Sequence, residues 1–144
     1  MRRPTVFALL LLLFAVVIAG CGSDEPSDPT SVVESWSQAI NASDDDTAAG
    51  LFAPAAVVIQ DGRRTTLNGK PEALAFNSSL PCGAKIVKTS NKGNEVTATF
   101  TLTRRPGHMC DGTGESAVAV FRIDDGRITL WHQLPTASGD TQAA

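Results

Sequence analysis

Apolar and polar positions alternate most clearly towards the carboxyl end, where Glu115 to Pro135 (ESAVAVFRIDDGRITLWHQLP) reads as one β-hairpin. Two β-rich runs flank Asp125-Gly126, a pair that tolerates the positive φ both turn positions require. Counting outward from that turn sets Asp124 opposite Arg127, then Ile123 opposite Ile128, Phe121 opposite Leu130, Ala119 opposite His132 and Ala117 opposite Leu134. Val118, Val120, Arg122, Thr129, Trp131 and Gln133 fall on the other face. His132 is therefore predicted as the single ionisable group on the core face.

The remaining pattern is taken from the amino end. Val33, Trp36 and Ile40 recur at helical spacing, with Val32 and Ala39 broadening the stripe, so a helix is predicted from Ser31, where Ser31 and Glu34 have the spacing of a capping box. Asn41-Ala42-Ser43 ends it. A second helix follows with Ser43 as its cap, Asp44-Asp45-Asp46 in its first turn and Leu51-Phe52 at its end, stopped by Pro54. Three adjacent carboxylates suit a helix amino terminus, whose dipole they complement; the spaced carbonyl and carboxylate ligands of a metal loop are missing. Ala55–Gln60 and Arg63–Leu67 form strands about a second Asp-Gly turn, and Asn68 to Pro71 leads into a short helix bearing Leu74 and Phe76 that Pro81 terminates. Gly83–Thr89 is a strand, Asn91 to Asn94 a turn, and Glu95–Thr103 alternates Val96, Ala98, Phe100 and Leu102 against threonines, the mark of a half-buried strand. Arg105 to Gly114 is a loop.

Of the 144 residues, 42% are hydrophobic and 19% charged, a globular balance that suits one domain. The net charge is −3, and becomes −5 once Arg2 and Arg3 are removed with a leader. That acidic balance argues against nucleic acid as a partner. Residues 1–20 are such a leader: Arg2 and Arg3 precede an apolar run from Thr5 to Ala19 that is short for a bilayer span. It closes on Val17-Ile18-Ala19-Gly20-Cys21, which resembles the bacterial lipobox. The resemblance implies cleavage after Gly20, a diacylglycerol thioether on Cys21 with further acylation (palmitate or a similar chain) of the new amino terminus, and attachment to the extracytoplasmic side of a bacterial cell membrane. Residues 21–30, polar and Pro-containing, read as a flexible tether, 31–135 as the folded domain and 136–144 as a disordered tail.

With Cys21 assigned to lipid, Cys82 and Cys110 remain in an oxidising compartment. The hairpin between them turns near Lys92 and returns the chain beside Cys82, and the following loop can bring Cys110 back, so a disulfide is expected. A zinc site from Cys82, His108, Cys110 and Asp111 is the weaker reading, since it lacks paired C-x-x-C knuckles. Neither a metal nor a cofactor is expected.

From Ser31 to Pro135 the order of elements resembles the nuclear transport factor 2-like, or SnoaL-like, superfamily. Three stretches carry the resemblance: VVESWSQAI, LFAPAAVVIQDGRRTTLNGKPEAL and FRIDDGRITLWHQLP. It implies an α+β fold in which a curved antiparallel sheet wraps the amino-terminal helices as a cone, with a pocket at the wide end, and it implies isomerase, cyclase, hydrolase or purely binding roles without choosing among them. Ketosteroid isomerases of the fold place an Asp base beside a Tyr, and this chain has no Tyr. Epoxide hydrolases of the fold use an Asp-Arg-Asp set, whereas the acids here fall in turns or at a helix start. Trp36, Phe52, Phe76, Phe100, Phe121 and His132 are the expected pocket residues, with Arg104 at the rim. The leading expectation is a lipid-anchored domain that binds a small apolar ligand or a partner protein. His132 as the base of an enzyme is a second, and a homodimer through Val118, Val120 and Trp131 on the outer sheet face a third.

Overall fold

Val32, Val33, Trp36, Ala39 and Ile40 are buried along one side of α1 (Pro29–Ala42), the stripe that the spacing predicts. In the computed structural model, which describes residues 28–136, the helix opens two residues early, because Pro29 suits a first helical turn whose amide is unpaired in any case. Ser31 donates its hydroxyl to the Asp28 carbonyl at 2.6 Å instead of joining Glu34 in a capping box. The leader, Cys21, most of the tether and the tail from 137 lie outside the described residues. Among those described, no helix is long and apolar enough to cross a membrane.

Ser43 closes α1 in the left-handed region at φ 56°, so the cap of α2 (Asp45–Gly50) passes to Asp44, whose carboxylate accepts from the Thr47 amide at 3.1 Å and its hydroxyl at 2.7 Å. Those bonds, the hydroxyl's first, hold the Asp44 carboxyl below its ordinary value. Phe52 is not helical. It begins β1 (Phe52–Gln60), and Pro54 sits inside that strand at an irregularity where Ala55 takes φ 62°. Proline has no amide to give the ladder, which is why it is tolerated where the pairing is already broken.

The rest follows the expected order: β2 (Arg63–Leu67), α3 (Lys70–Ser79), β3 (Gly83–Lys92), β4 (Glu95–Thr103), β5 (Ser116–Asp124) and β6 (Arg127–Leu134). Both Asp-Gly pairs turn with positive φ at each residue. The six strands form one curved sheet in the order β2-β1-β6-β5-β4-β3. Four are a consecutive antiparallel meander, but β1 joins β6 in parallel, so the sheet is mixed at one seam and not antiparallel throughout. Across β3, β4 and β5 lies α1. Its Trp36 ring meets Phe121 at 5.2 Å and Phe100 at 6.0 Å edge-on.

The organising hairpin keeps its turn and loses its counted register. Ile123 pairs with Ile128, but the next pair is Arg122 with Leu130, so Thr129 is one residue too many on β6. Its hydroxyl donates to the Arg122 carbonyl at 3.2 Å and the Asp124 carboxylate at 2.6 Å, which settles the bulge and, with the Asn94 amide, holds the Asp124 carboxyl below its ordinary value. One inserted residue turns every later side chain over. Phe121 therefore meets Trp131, and Val120 meets His132.

One close approach constrains the sheet's edge. Asn41 on α1 pairs its carboxamide with the backbone of β3, its oxygen accepting from the Ala84 amide at 2.9 Å and its nitrogen donating to the Ala84 carbonyl at 3.2 Å. A Cβ at Gly83 would collide with that Asn41 oxygen and lie 2.5 Å from Thr103 Oγ1. Gly83→Ala is therefore expected to lower stability by about 1–3 kcal/mol, read by urea denaturation, through overpacking and not through backbone strain.

Candidate functional site

Inward positions of four strands converge on a cavity of about 160 Å³ between α1 and the sheet. Ala119 comes from β5, Phe100 from β4, and Trp131 with Gln133 from β6, both turned inward by the Thr129 bulge. Gln60 extends the inward row of Ala56 and Val58 on β1. Trp36 covers the cavity from α1, and Leu80, Pro81 and Cys82 border it where α3 hands over to β3. Among its lining residues there is no Asp, Glu, His, Lys or Arg. The wall is apolar and aromatic, with two carboxamides and two indoles as its polar side chains.

Trp131 is 5% exposed and stacks edge-on against Phe76 at 5.1 Å. Its Nε1 has no hydrogen-bond partner, and neither has Gln133 Oε1; these two are the buried side-chain polar atoms left unpaired among the described residues. Leaving one such atom unpaired costs about 1–3 kcal/mol. The other indole differs: Trp36 Nε1 donates to Asn77 Oδ1 at 2.9 Å, deep in the core. Both side chains border the cavity, but these two atoms are themselves shut off from it, without accessible surface.

The expected pocket residues separate. Trp36 and Phe100 line the cavity. Phe52 and Phe121 are buried in the core without reaching it, and Phe76 borders a different depression of about 410 Å³ with Gln60, Arg63 and Glu72. Arg104 is exposed, because the strand alternation that would have aimed it inward stops at Thr103. The bulge sends His132 to the opposite side of β6, where it lines a surface hollow with Asp61 and Gly62. Trp131 moves the other way, so Val118, Val120 and Trp131 do not make one outer face: Val120 stays half-buried outside, Val118 contributes to the cavity wall and Trp131 is core.

Cys82 and Cys110 are joined, with Cα atoms 4.7 Å apart, and Cys82 is part of the cavity wall. His108 and Asp111 form no metal cluster with them among the described residues. Sequence pattern did not single out Arg105, at the start of that loop. Its side chain is fully buried and donates to the carbonyls of Asn77 and Leu80 (3.1 Å each), to Ser43 Oγ (3.1 Å) and to the Asp45 carboxylate. The three-carboxylate run is thereby divided: Asp44 caps its helix, Asp45 pairs with Arg105, and Asp46 meets Lys70 at the surface at 2.8 Å.

Comparison with protein families matches residues 33–131 to the SnoaL-like domain. A search of curated proteins finds no match. Among solved structures, a nuclear transport factor 2-like protein of unknown function from Cytophaga hutchinsonii is similar at 14% identity, with 74% of this chain and 88% of that chain covered at a TM-score of 0.61. A cystatin-fold protein from Novosphingobium aromaticivorans is 19% identical over 75% of this chain and 98% of its own, at 0.60. A protein of ketosteroid isomerase-like fold from Catenulispora acidiphila, in complex with trimethylamine, is 16% identical over 74% and 86%, at 0.56. At these identities the likeness is one of fold.

Proposed function

We propose that this chain, which belongs to the SnoaL-like domain family, is a binding domain that holds a small ligand in the cavity between α1 and the sheet and performs no chemistry on it. The observation that carries the reading is the composition of the wall: aromatic and aliphatic side chains with the carboxamides of Gln60 and Gln133 among them, and no group among the lining residues able to exchange a proton at neutral pH. Ligand pockets have this make-up, a largely apolar lining with a few polar groups that fix orientation. His132 as a catalytic base is disfavoured by its position on the far side of β6 from the cavity.

Native mass spectrometry of the protein released gently from its host membrane tests this. An extra mass on the folded chain is expected, and Ala117→Met, which pushes a side chain into the cavity from the half-buried start of β5, is expected to remove it. His132→Ala is expected to leave the mass in place. Bare protein in every preparation, or turnover that vanishes with His132, would overturn the binding reading.

The domain is further proposed to be carried on the extracytoplasmic face of a bacterial membrane by lipid on Cys21. The apolar run ending in Val17 to Cys21 and the polar residues 22–30 support it. Radiolabelled palmitate is expected to enter the wild-type protein, whose mature chain starts at Cys21, and Cys21→Ser is expected to lose both the label and the cleavage after Gly20. Label retained by Cys21→Ser would refute the anchor.

A further inference from the structure

We propose that the ligand of this cavity is amphipathic, with an apolar body lying against Trp36 and Phe100 and a carboxylate held at the mouth by Arg63. This rests on the reading of the cavity as a binding site and adds the chemistry of the ligand's polar end. Depth gives the first half of the argument. Trp36, Phe100, Ala119 and Trp131 are buried and form the closed end, whereas Gln60, Leu102, Ala117 and Gln133 are half-buried and Pro81 is exposed, which places the mouth on their side. The closed end holds no charge. An ionised group there would be desolvated without compensation, so a charged ligand keeps its ion at the mouth.

Strand register supplies the second half. Arg63 stands directly opposite Gln60 in the β1–β2 pair, where facing Cβ atoms lie about 4.5–5.5 Å apart, a separation that an arginine side chain spans. It shares the inward side of β2 with Thr65 and the buried Leu67, as the period of two requires. All three border the depression of about 410 Å³ that also takes in Phe76, and Gln60 belongs to both that depression and the cavity. A cation therefore stands one strand from the mouth.

Among the described residues Arg63 makes no hydrogen bond or ion pair, while Arg105, Arg122 and Arg127 each hold an acceptor. Its planar fork matches a carboxylate with two parallel N–H donors. One guanidinium balances one negative charge, which suits a carboxylate better than a phosphate monoester carrying nearly two. Two acids border the same depression. Glu72 on α3 already accepts from the Asn68 amide at 2.8 Å, and Asp61 is exposed in the turn. Among the described residues neither is in ion-pair contact with Arg63, so they weaken its pull on an anion without occupying it.

Three probes with one body and different heads test this: 4-phenylbutyrate, its uncharged amide and the cationic 4-phenylbutylamine. Each is dialysed to equilibrium between the full chain in uncharged micelles and protein-free micelles, so that bound and free probe are measured directly. The carboxylate is expected to bind about fivefold or more tightly than the amide, and the amine to show no saturable binding. Arg63→Gln is expected to make carboxylate and amide equal while leaving the amide's affinity as it was. Arg64→Gln, one residue on and on the outward side of β2, is expected to keep the preference. Glu72→Gln is expected to raise the carboxylate's affinity about twofold, and high salt to shrink the preference. Ala117→Met is expected to abolish binding of all three. Equal binding of carboxylate and amide by the wild type, a preference that survives Arg63→Gln, or one lost alike in Arg64→Gln, overturns the carboxylate assignment and leaves the cavity a binding site. No saturable binding of any probe, or binding untouched by Ala117→Met, overturns the binding reading together with this inference.

Discussion

Replacing Arg105 with Met is expected to cost the domain about 3–5 kcal/mol, the range for removing one partner of a buried, hydrogen-bonded charge pair. Its guanidinium serves three separate helix ends. Nη1 covers the carbonyls of Asn77 and Leu80, where α3 has run out of amides to pair them; Nε bonds the hydroxyl of Ser43, the left-handed cap of α1; and Nη2 meets Asp45 in the first turn of α2. Methionine fills some of the volume and satisfies none of these groups. Arg105→Lys should recover only a small part, since an ammonium is a point charge without the planar fork that reaches several acceptors. Asp45→Asn should cost less than the loss of Arg105, as its carboxylate is 16% exposed and the two carbonyls remain bonded. Because both changes break one network, the double variant should lose less than the sum of the singles. Urea denaturation reads these differences, and for a domain of this size the Arg105→Met loss corresponds to a Tm lower by roughly 15 °C or more. A loss below about 1 kcal/mol would mean that water replaces the guanidinium without penalty.

Local chemistry explains why so much of the frame can be read from residues alone. The two Asp-Gly turns, the Val33-Trp36-Ile40 stripe and the alternation of Glu95–Thr103 each depend on neighbours within a few positions, and each appears in the fold as expected. The site is another matter. Its orientation turns on Thr129, an extra residue that no period of two can anticipate, and everything beyond it was assigned to the wrong face. A warning was nonetheless present: strict alternation puts a tryptophan on the solvent side and a histidine in the core, the reverse of their relative hydrophobicity, and a single-residue bulge resolves that conflict. Gln60 was legible too, as the next inward position after Ala56 and Val58, but a glutamine at a strand end gives no reason to be chosen. Arg105 lies 60 residues from Asp45, and its other acceptors include two backbone carbonyls, which have no residue type to recognise. Such a partner set exists only once α2, α3 and the loop after β4 are in place.

Removing the Cys82–Cys110 disulfide by changing both residues to Ala is expected to lower stability by about 3.5 kcal/mol, mainly by freeing the unfolded chain across a sequence separation of 28. The loss should appear with a larger denaturant slope, because an uncrosslinked unfolded state exposes more surface. The native state is affected as well. Cys110 belongs to the same loop as Arg105, and Cys82 follows Leu80, whose carbonyl Arg105 holds, so the covalent and ionic ties fasten one loop to one end of α3. Arg105→Met in the background without the bridge should therefore cost less than in the bridged protein, since a loop already released has less order to lose. Cys82 also borders the cavity beside Pro81, so ligand retention should fall in the double Ala variant while the sheet, held by its own ladder, persists. Equilibrium unfolding of the oxidised wild type and the variant, with and without a reductant, separates these effects. Unchanged stability and slope in the variant would show that the loop is pinned by Arg105 alone.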